Sequence, residues 1–202
     1  EDTTLNLSEG HSFQTSNRGP VVDGVSSLRD RHVTVFDGSD YWLAEDSINA
    51  NDLSIEAWFR TESTNQWQTL FSNTEGGGFS LKIKDGRLRG LYRLKDGNSW
   101  ADLEHSALDP VNDGLWHHAV FTVDKRSDGY RACVWLDGKS DCISQVDSRS
   151  PRDSNVRPAV GAEPDEDSGE YTYSSYFEGE IYAVVVHDFV LTDAWLSDRV
   201  LR

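Results

Sequence analysis

Asp-Gly pairs recur along this chain, among them those at 37–38, 85–86, 96–97, 113–114 and 137–138, and they separate short stretches of alternating apolar and polar residues. Asp-Gly favours the tight two-residue turn in which both residues take positive φ, the turn whose twist matches a β-hairpin. The stretch Leu53-Ser54-Ile55-Glu56-Ala57-Trp58-Phe59-Arg60 alternates with a period of two, so Leu53, Ile55, Ala57 and Phe59 share one face and Ser54, Glu56, Trp58 and Arg60 the other. Further strands are expected at His32–Phe36, Tyr41–Leu43, Trp67–Ser72, Phe79–Lys84, Leu88–Tyr92, Trp100–His105 and Leu115–Val123. Many short strands joined by tight turns fold as an all-β sandwich or barrel.

One hairpin defines its own register. Centring a two-residue turn on Asp137-Gly138 pairs Leu136 with Lys139 and, three steps back, Cys133 with Cys142. Alternation makes 133/142 a non-hydrogen-bonded pair, the closer kind, at a separation suited to a disulfide. A Cys133–Cys142 bridge is therefore expected, and with it an oxidising compartment, extracellular or at the cell surface.

The chain of 202 residues carries 19 Lys+Arg against 35 Asp+Glu, a net charge of −16. Nucleic acid and anionic membrane surfaces would be repelled, and no apolar run approaches the roughly 20 residues that span a bilayer. Without an initiator Met or a signal peptide, the sequence is read as a mature form or an excised domain. One domain over 1–202 is expected, with residues 1–20 as an N-terminal arm or first edge strand. The Ser-, Arg- and Asp-rich segment 144–159 is expected to be a long surface loop, Gly76–Gly78 a flexible tip, and Thr192 the N-cap of a short terminal helix.

Near the end, the apolar run Tyr182-Ala183-Val184-Val185-Val186 reads as a strand buried on both faces. The loop before it gathers Glu163, Asp165, Glu166, Asp167 and Glu170, carboxylates close enough to repel unless solvated or bound to a cation.

Ligand chemistry is sought where large aromatics lie on the face away from the apolar residues of their strand. Trp58 sides with Glu56 and Arg60; Trp100 sides with Asp102 and Glu104; Arg87, Arg89 and Arg93 share one face and form the one basic cluster. Trp58, Trp100, Arg87, Arg89, Arg93 and Asp102 are the candidate ligand-binding set, a platform for sugar rings, unless the tryptophans are instead covered by packing. His117 and His118 point to opposite faces with no evident nucleophile, so one is expected to be a core histidine bonded to backbone. No zinc spacing and no phosphate-binding loop before a helix is present.

The ordered series Phe36-Asp37-Gly38-Ser39-Asp40-Tyr41, Ser54-Ile55-Glu56-Ala57-Trp58, Asp113-Gly114-Leu115-Trp116-His117-His118, Leu136-Asp137-Gly138-Lys139 and Phe177-Glu178-Gly179-Glu180-Ile181 resembles the laminin G-like jelly roll of the concanavalin A-like lectin/glucanase superfamily. The closing stretch from Val160-Gly161 to Leu191-Thr192 is similar to the pentraxin branch. The resemblance implies two packed antiparallel sheets and an extracellular module that binds glycans or proteins, often with calcium. It places calcium ligands at Glu163, Asp165, Glu166 and Asp167. A second ligand set should follow Leu70-Phe71-Ser72, where this chain has Asn73-Thr74-Glu75-Gly76-Gly77-Gly78, which leaves one calcium or none. The Glu-x-Asp-x-x-Glu strand of the superfamily's glucanases has only a loop imitation, Glu163 to Ser168, with Ser in the last place. The expected function is thus non-catalytic recognition of a glycan, with protein adhesion as the alternative and a divergent hydrolase or lyase third.

Overall fold

The computed structural model describes residues 7–9, 14–16, 33–44, 48–96, 99–167 and 169–197. In chain order the strands are β1 (Leu7–Glu9), β2 (Gln14–Ser16), β3 (Val33–Asp37), β4 (Trp42–Ala44), β5 (Leu53–Arg60) and β6 (Trp67–Ser72). There follow β7 (Phe79–Lys84), β8 (Arg87–Asp96), β9 (Ser99–Pro110), β10 (His117–Arg126), β11 (Gly129–Leu136) and β12 (Lys139–Val146). The last are β13 (Ser150–Pro151), β14 (Ala159–Val160), β15 (Glu163–Asp167), β16 (Glu170–Ser174) and β17 (Glu178–His187), before the helix α1 (Asp193–Ser197).

Two antiparallel sheets stack into a jelly-roll sandwich, as expected. Sheet A runs β12-β11-β10-β5-β17-β3-β2; sheet B runs β1-β4-β14-β6-β7-β8, with β9 on the far edge of β8 and β13 pairing Leu94–Lys95 beyond the end of β7. Period-two alternation builds the core between them: Leu53, Ile55, Ala57 and Phe59 of β5 and Phe121 and Val123 of β10 meet Leu81, Ile83, Leu88 and Tyr92 of sheet B. Gly90 is required by this packing, because a Cβ there would run into the Phe121 ring. Both clear Asp-Gly hairpins take the expected turn, with φ of 50° and 73° at Asp85-Gly86 and 50° and 78° at Asp137-Gly138. The second pairs Cys133 with Cys142, 4.1 Å apart at Cα and joined by the disulfide.

Several expectations are corrected. The N-terminal arm contributes an edge strand to each sheet, β1 and β2, where one edge strand was expected. The segment 144–159 is not all loop: its end, β14, sits between β4 and β6 inside sheet B. Gly76–Gly78 is no free tip, since Gly78 donates its N–H to Arg152 O at 2.7 Å and the Arg152–Asp153 backbone packs against Gly77. The Tyr182–Val186 run is central but not buried on both faces. β3 pairs β17 only over Glu178–Ile181, so Tyr182 to Val185 remain half-buried with β5 beside them.

The acidic loop is a hairpin, β15 with β16, rather than a loop. In β15 Pro164 is buried and Glu163 half-buried, while β16 is largely exposed.

The outer face of sheet A is covered by the chain's own C-terminal segment. Leu191 and Leu196 pack with Val120, Cys133 and Trp135, and Ser54 Oγ ties the segment down, donating to Phe189 O and accepting from Leu191 N–H at 2.9 Å. Thr192 caps α1 as expected, its Oγ1 accepting from Trp195 N–H at 3.2 Å. The outer face of sheet B carries a groove.

Candidate ligand-binding groove

The groove holds about 310 Å³ and is lined by Trp67, Ser80, Lys82, Arg89, Leu91, Arg93, Asp102, Glu104, Glu163 and Ser175. Four adjacent strands set its floor by register: Ser80 lies opposite Leu91 and Lys82 opposite Arg89, while on β9 Glu104 faces Leu91 and Asp102 faces Arg93. Alternation sends Arg87, Arg89, Leu91 and Arg93 outward while Leu88, Gly90, Tyr92 and Leu94 turn to the core. The β15–β16 hairpin supplies the remaining wall through Glu163 and the adjoining Ser175.

Lys82 carries the largest electrostatic burden. It is 6% exposed and its Nζ donates to Glu163 Oε1, which also accepts from Thr74 Oγ1 at 3.2 Å. Burial pushes the Lys82 ammonium below its ordinary value, Glu163 opposes that, and the nearby Arg93 guanidinium adds to it. Arg89 pairs with Glu104. The end wall, Trp67, has Lys84 Nζ 4.6 Å and Arg89 Cζ 5.4 Å from its ring centre, two cation–π contacts that hold the indole in place.

Of the predicted ligand residues, Arg89, Arg93 and Asp102 meet in this groove. Arg87 is on the same outer face but exposed beyond the lining. Trp100 is in β9 opposite Lys95, and its side chain lies outside the described residues. Trp58 is corrected: it belongs to sheet A, is 7% exposed and stacks on His118 with ring centres 4.3 Å apart. It faces away from the core as its alternation requires, but Tyr182 and Ala183 pack against it.

The four expected calcium ligands do not converge. In β15 Glu163, Asp165 and Asp167 fall on one face and Glu166 on the other, and Glu163 is held by Lys82. Among the described residues no group of three or more His, Cys, Asp or Glu side chains is placed to hold a metal ion. Asn73, where a second set would begin, is buried in a structural role, donating to Ile48 O and accepting from Phe79 N–H, both at 2.8 Å. Asp165 sits beside Glu75, whose carboxyl is raised first by burial and then by Asp165 itself. The hairpin is thus attached to the sandwich by a lysine, so the residues present do not fit the cage of six to eight oxygens that calcium takes.

Both histidines are buried, but against carboxylates and not backbone. His117 is clasped by Asp137 at 2.8 Å and Asp113 at 3.1 Å. His118 Nε2 lies 2.8 Å from Glu56, whose other oxygen is 3.3 Å from His187 Nε2. A larger cleft, about 570 Å³ at the end of sheet A, is lined by Arg60, Glu178 and Glu180 among others. Within it Arg60 binds Glu180 through two nitrogens, and Glu178 accepts from Ser63 Oγ.

A family model of laminin G type, described as the concanavalin A-like lectin/glucanases superfamily, matches residues 36–197. The chain belongs to that superfamily. No curated protein matches it in sequence. Among solved structures it is similar to domain 4 of the extracellular GH43 arabinanase AbnA from Geobacillus stearothermophilus, determined with arabinotriose, at TM-score 0.65 and 18% identity over 94% of this chain and 81% of that one. It is similar also to the CBM40 of the Ruminococcus gnavus IT-sialidase bound to α2,3-sialyllactose, at TM-score 0.57 and 19% identity over 73% and 82%. The heptameric SAP-like pentraxin of Limulus polyphemus follows at TM-score 0.59 and 17% identity over 82% and 79%. At these identities the likeness is one of fold.

Proposed function

We propose that the chain is a non-catalytic carbohydrate-recognition module, working outside the cytoplasm, that takes a short glycan in the groove on sheet B. The observation that carries this reading is the convergence of an apolar surface, Trp67 with Leu91, five ionic side chains of one open sheet face and Glu163 of the adjoining hairpin. Sugar rings need an apolar surface for their C–H faces and a planar set of donors and acceptors for their hydroxyls. Arginine and carboxylate groups held on rigid strands supply the second. The arabinotriose and sialyllactose complexes of its structural neighbours favour the same class of ligand, and the Cys133–Cys142 bridge favours an oxidising compartment. Each groove carboxylate faces a cation, Glu163 Lys82, Glu104 Arg89 and Asp102 Arg93. That suits hydrogen bonding to hydroxyls better than a general acid and base across a glycosidic bond.

Titration calorimetry against an oligosaccharide panel tests the proposal. One or more members should bind, and Trp67→Ala or Arg89→Ala should weaken that binding about tenfold, roughly 1.4 kcal/mol. Binding untouched by both substitutions would remove the groove from the function. Calcium has no part in this reading: the melting temperature and the affinity should be the same in EDTA and in millimolar calcium, and a rise of several degrees with calcium would restore the metal.

A second reading, protein adhesion, rests on a tyrosine patch at the hairpin. Tyr41 stacks on Tyr173 with centres 3.9 Å apart, Tyr176 lies beside them, and Tyr171 is exposed. Tyrosine-rich patches are typical of protein interfaces. Tyr171→Ser would abolish partner capture on that reading and leave glycan binding intact.

A further inference from the structure

Among the described residues, the groove contains buried donors without a hydrogen-bond partner. Ser80 is fully buried and lines the cavity, and among the described residues its Oγ has no hydrogen-bond partner. Arg93 Nε is likewise buried and without a hydrogen bond; its nearest carboxylate oxygen, on Asp102, is 3.7 Å away, beyond hydrogen-bonding range. Register brings them together: Ser80 is opposite Leu91, two residues before Arg93 on the same face, a diagonal that long side chains span. Lys82 is two residues along β7 from Ser80, also facing outward. Its ammonium has three donors, and Glu163 takes one.

Leaving such groups unsatisfied is costly, about 1–3 kcal/mol for a buried polar atom and more for a charged one. The like charges of Lys82 and Arg93 also stand close enough to disfavour each other. Ser80 Oγ and Arg93 Nε lack an acceptor, Lys82 has donors beyond the one Glu163 takes, and an anionic acceptor would offset the mutual repulsion as well.

On the glycan-binding reading of this groove, we infer that Ser80, Lys82 and Arg93 form a subsite for a negatively charged substituent, a carboxylate or sulfate, on the bound sugar. One oxygen of the anion accepts from Ser80 Oγ and another from Arg93 Nε, with Lys82 as the point charge alongside. Charge-assisted bonds of this kind are roughly twice as strong as neutral ones. The carboxylates on the β9 side, Asp102 and Glu104, are left to meet the hydroxyls of the same or the next ring.

The test is a titration of the full chain with three trisaccharides: a trigalacturonate, its carboxyl-reduced trigalactose counterpart, and a sulfated trigalactose. The carboxylate or the sulfate form should bind at least tenfold more tightly than the neutral one, and which of the two does identifies the anion. Ser80→Ala and Arg93→Gln should each erase most of that preference, weakening the charged trisaccharide far more than the neutral one, and Arg93→Lys should restore part of it. Ser80→Ala removes a hydroxyl without a hydrogen-bond partner among the described residues, so its melting temperature should be unchanged or higher; a loss of preference there is not a folding defect. Neutral and charged trisaccharides binding equally well through Trp67 and Arg89 would overturn the anionic subsite and leave the glycan module standing. Binding of none of the three, and of no member of the oligosaccharide panel, would overturn both.

Discussion

A tryptophan on a strand of a β-sandwich can point to the core, to a covered sheet back or to an open face, and alternation separates only the first from the other two. Trp58 and Trp67 show the difference. Both face outward, yet Trp58 stands under Tyr182 and Ala183 against His118, whereas Trp67 forms the wall of an open groove. Trp58→Ala should therefore cost about 3 kcal/mol or more in stability and leave ligand affinity unchanged, the reverse of Trp67→Ala; urea melts paired with ligand titration separate the two. The arginine set and Asp102 were readable from β8 and β9 because their alternation is regular. Lys82 and Trp67 were not, since nothing in the local pattern says that the face they share stays uncovered. His117 has its own signature. Burial lowers its pKa, but the hydrogen bonds and charges of Asp137 and then Asp113 outweigh burial and raise it overall. A raised histidine contributes stability that is complete below its unfolded value, about 6.5, and is lost as pH rises through the folded value. Asp137→Asn keeps a turn-forming residue at positive φ and removes the charge. The melting-temperature gap between wild type and Asp137→Asn should be widest below the unfolded value, about 6.5, and narrow as pH rises through the folded one.

Hairpins are the elements most legible in this chain, and also those whose surroundings are least legible. The β11–β12 pairing, its turn and its disulfide all follow from Asp137-Gly138 and period-two counting, because every step is local. Reducing Cys133–Cys142 should cost about 2–3 kcal/mol, the closure entropy of so short a loop. It should leave ligand affinity intact, since β12 is the edge of sheet A and the groove is on sheet B. The β15–β16 hairpin is the opposite case: its five carboxylates suggested a cation-binding loop, and the partner that answers Glu163 is Lys82, 81 residues earlier. No sequence window contains that pair. Glu163→Gln leaves a buried ammonium unpaired and should destabilise by about 2 kcal/mol or more, less than the 3–5 of a fully buried pair because Glu163 is partly exposed. Lys82→Met with Glu163→Leu should be milder than Glu163→Gln alone, because it strands no charge; equal losses would show that the hairpin is held by contacts other than this ion pair.

At the scale of the whole molecule, the two sheets differ in what covers them, and that difference makes the site. The C-terminal segment packs over β10 and β11 on the back of sheet A, whereas the outer face of sheet B keeps an open groove that balances Lys82, Arg89 and Arg93 against Asp102, Glu104 and Glu163. The rest of the chain is strongly acidic, with a total charge of −16. An anionic sugar therefore approaches through a repulsive field before it reaches a locally favourable one, and the two fields have different ranges. Added salt shortens the Debye length from about 30 Å at 0.01 M to about 8 Å at 0.15 M, which removes the long-range repulsion. The contacts inside the groove, partly buried and only a few ångströms long, are screened much less. The association rate of a charged trisaccharide should accordingly rise several-fold over that range while its dissociation rate changes little, as stopped-flow mixing would record. An association rate that falls with salt would mean that the groove's cations reach beyond the acidic surface, and that the overall charge does not govern how ligand arrives.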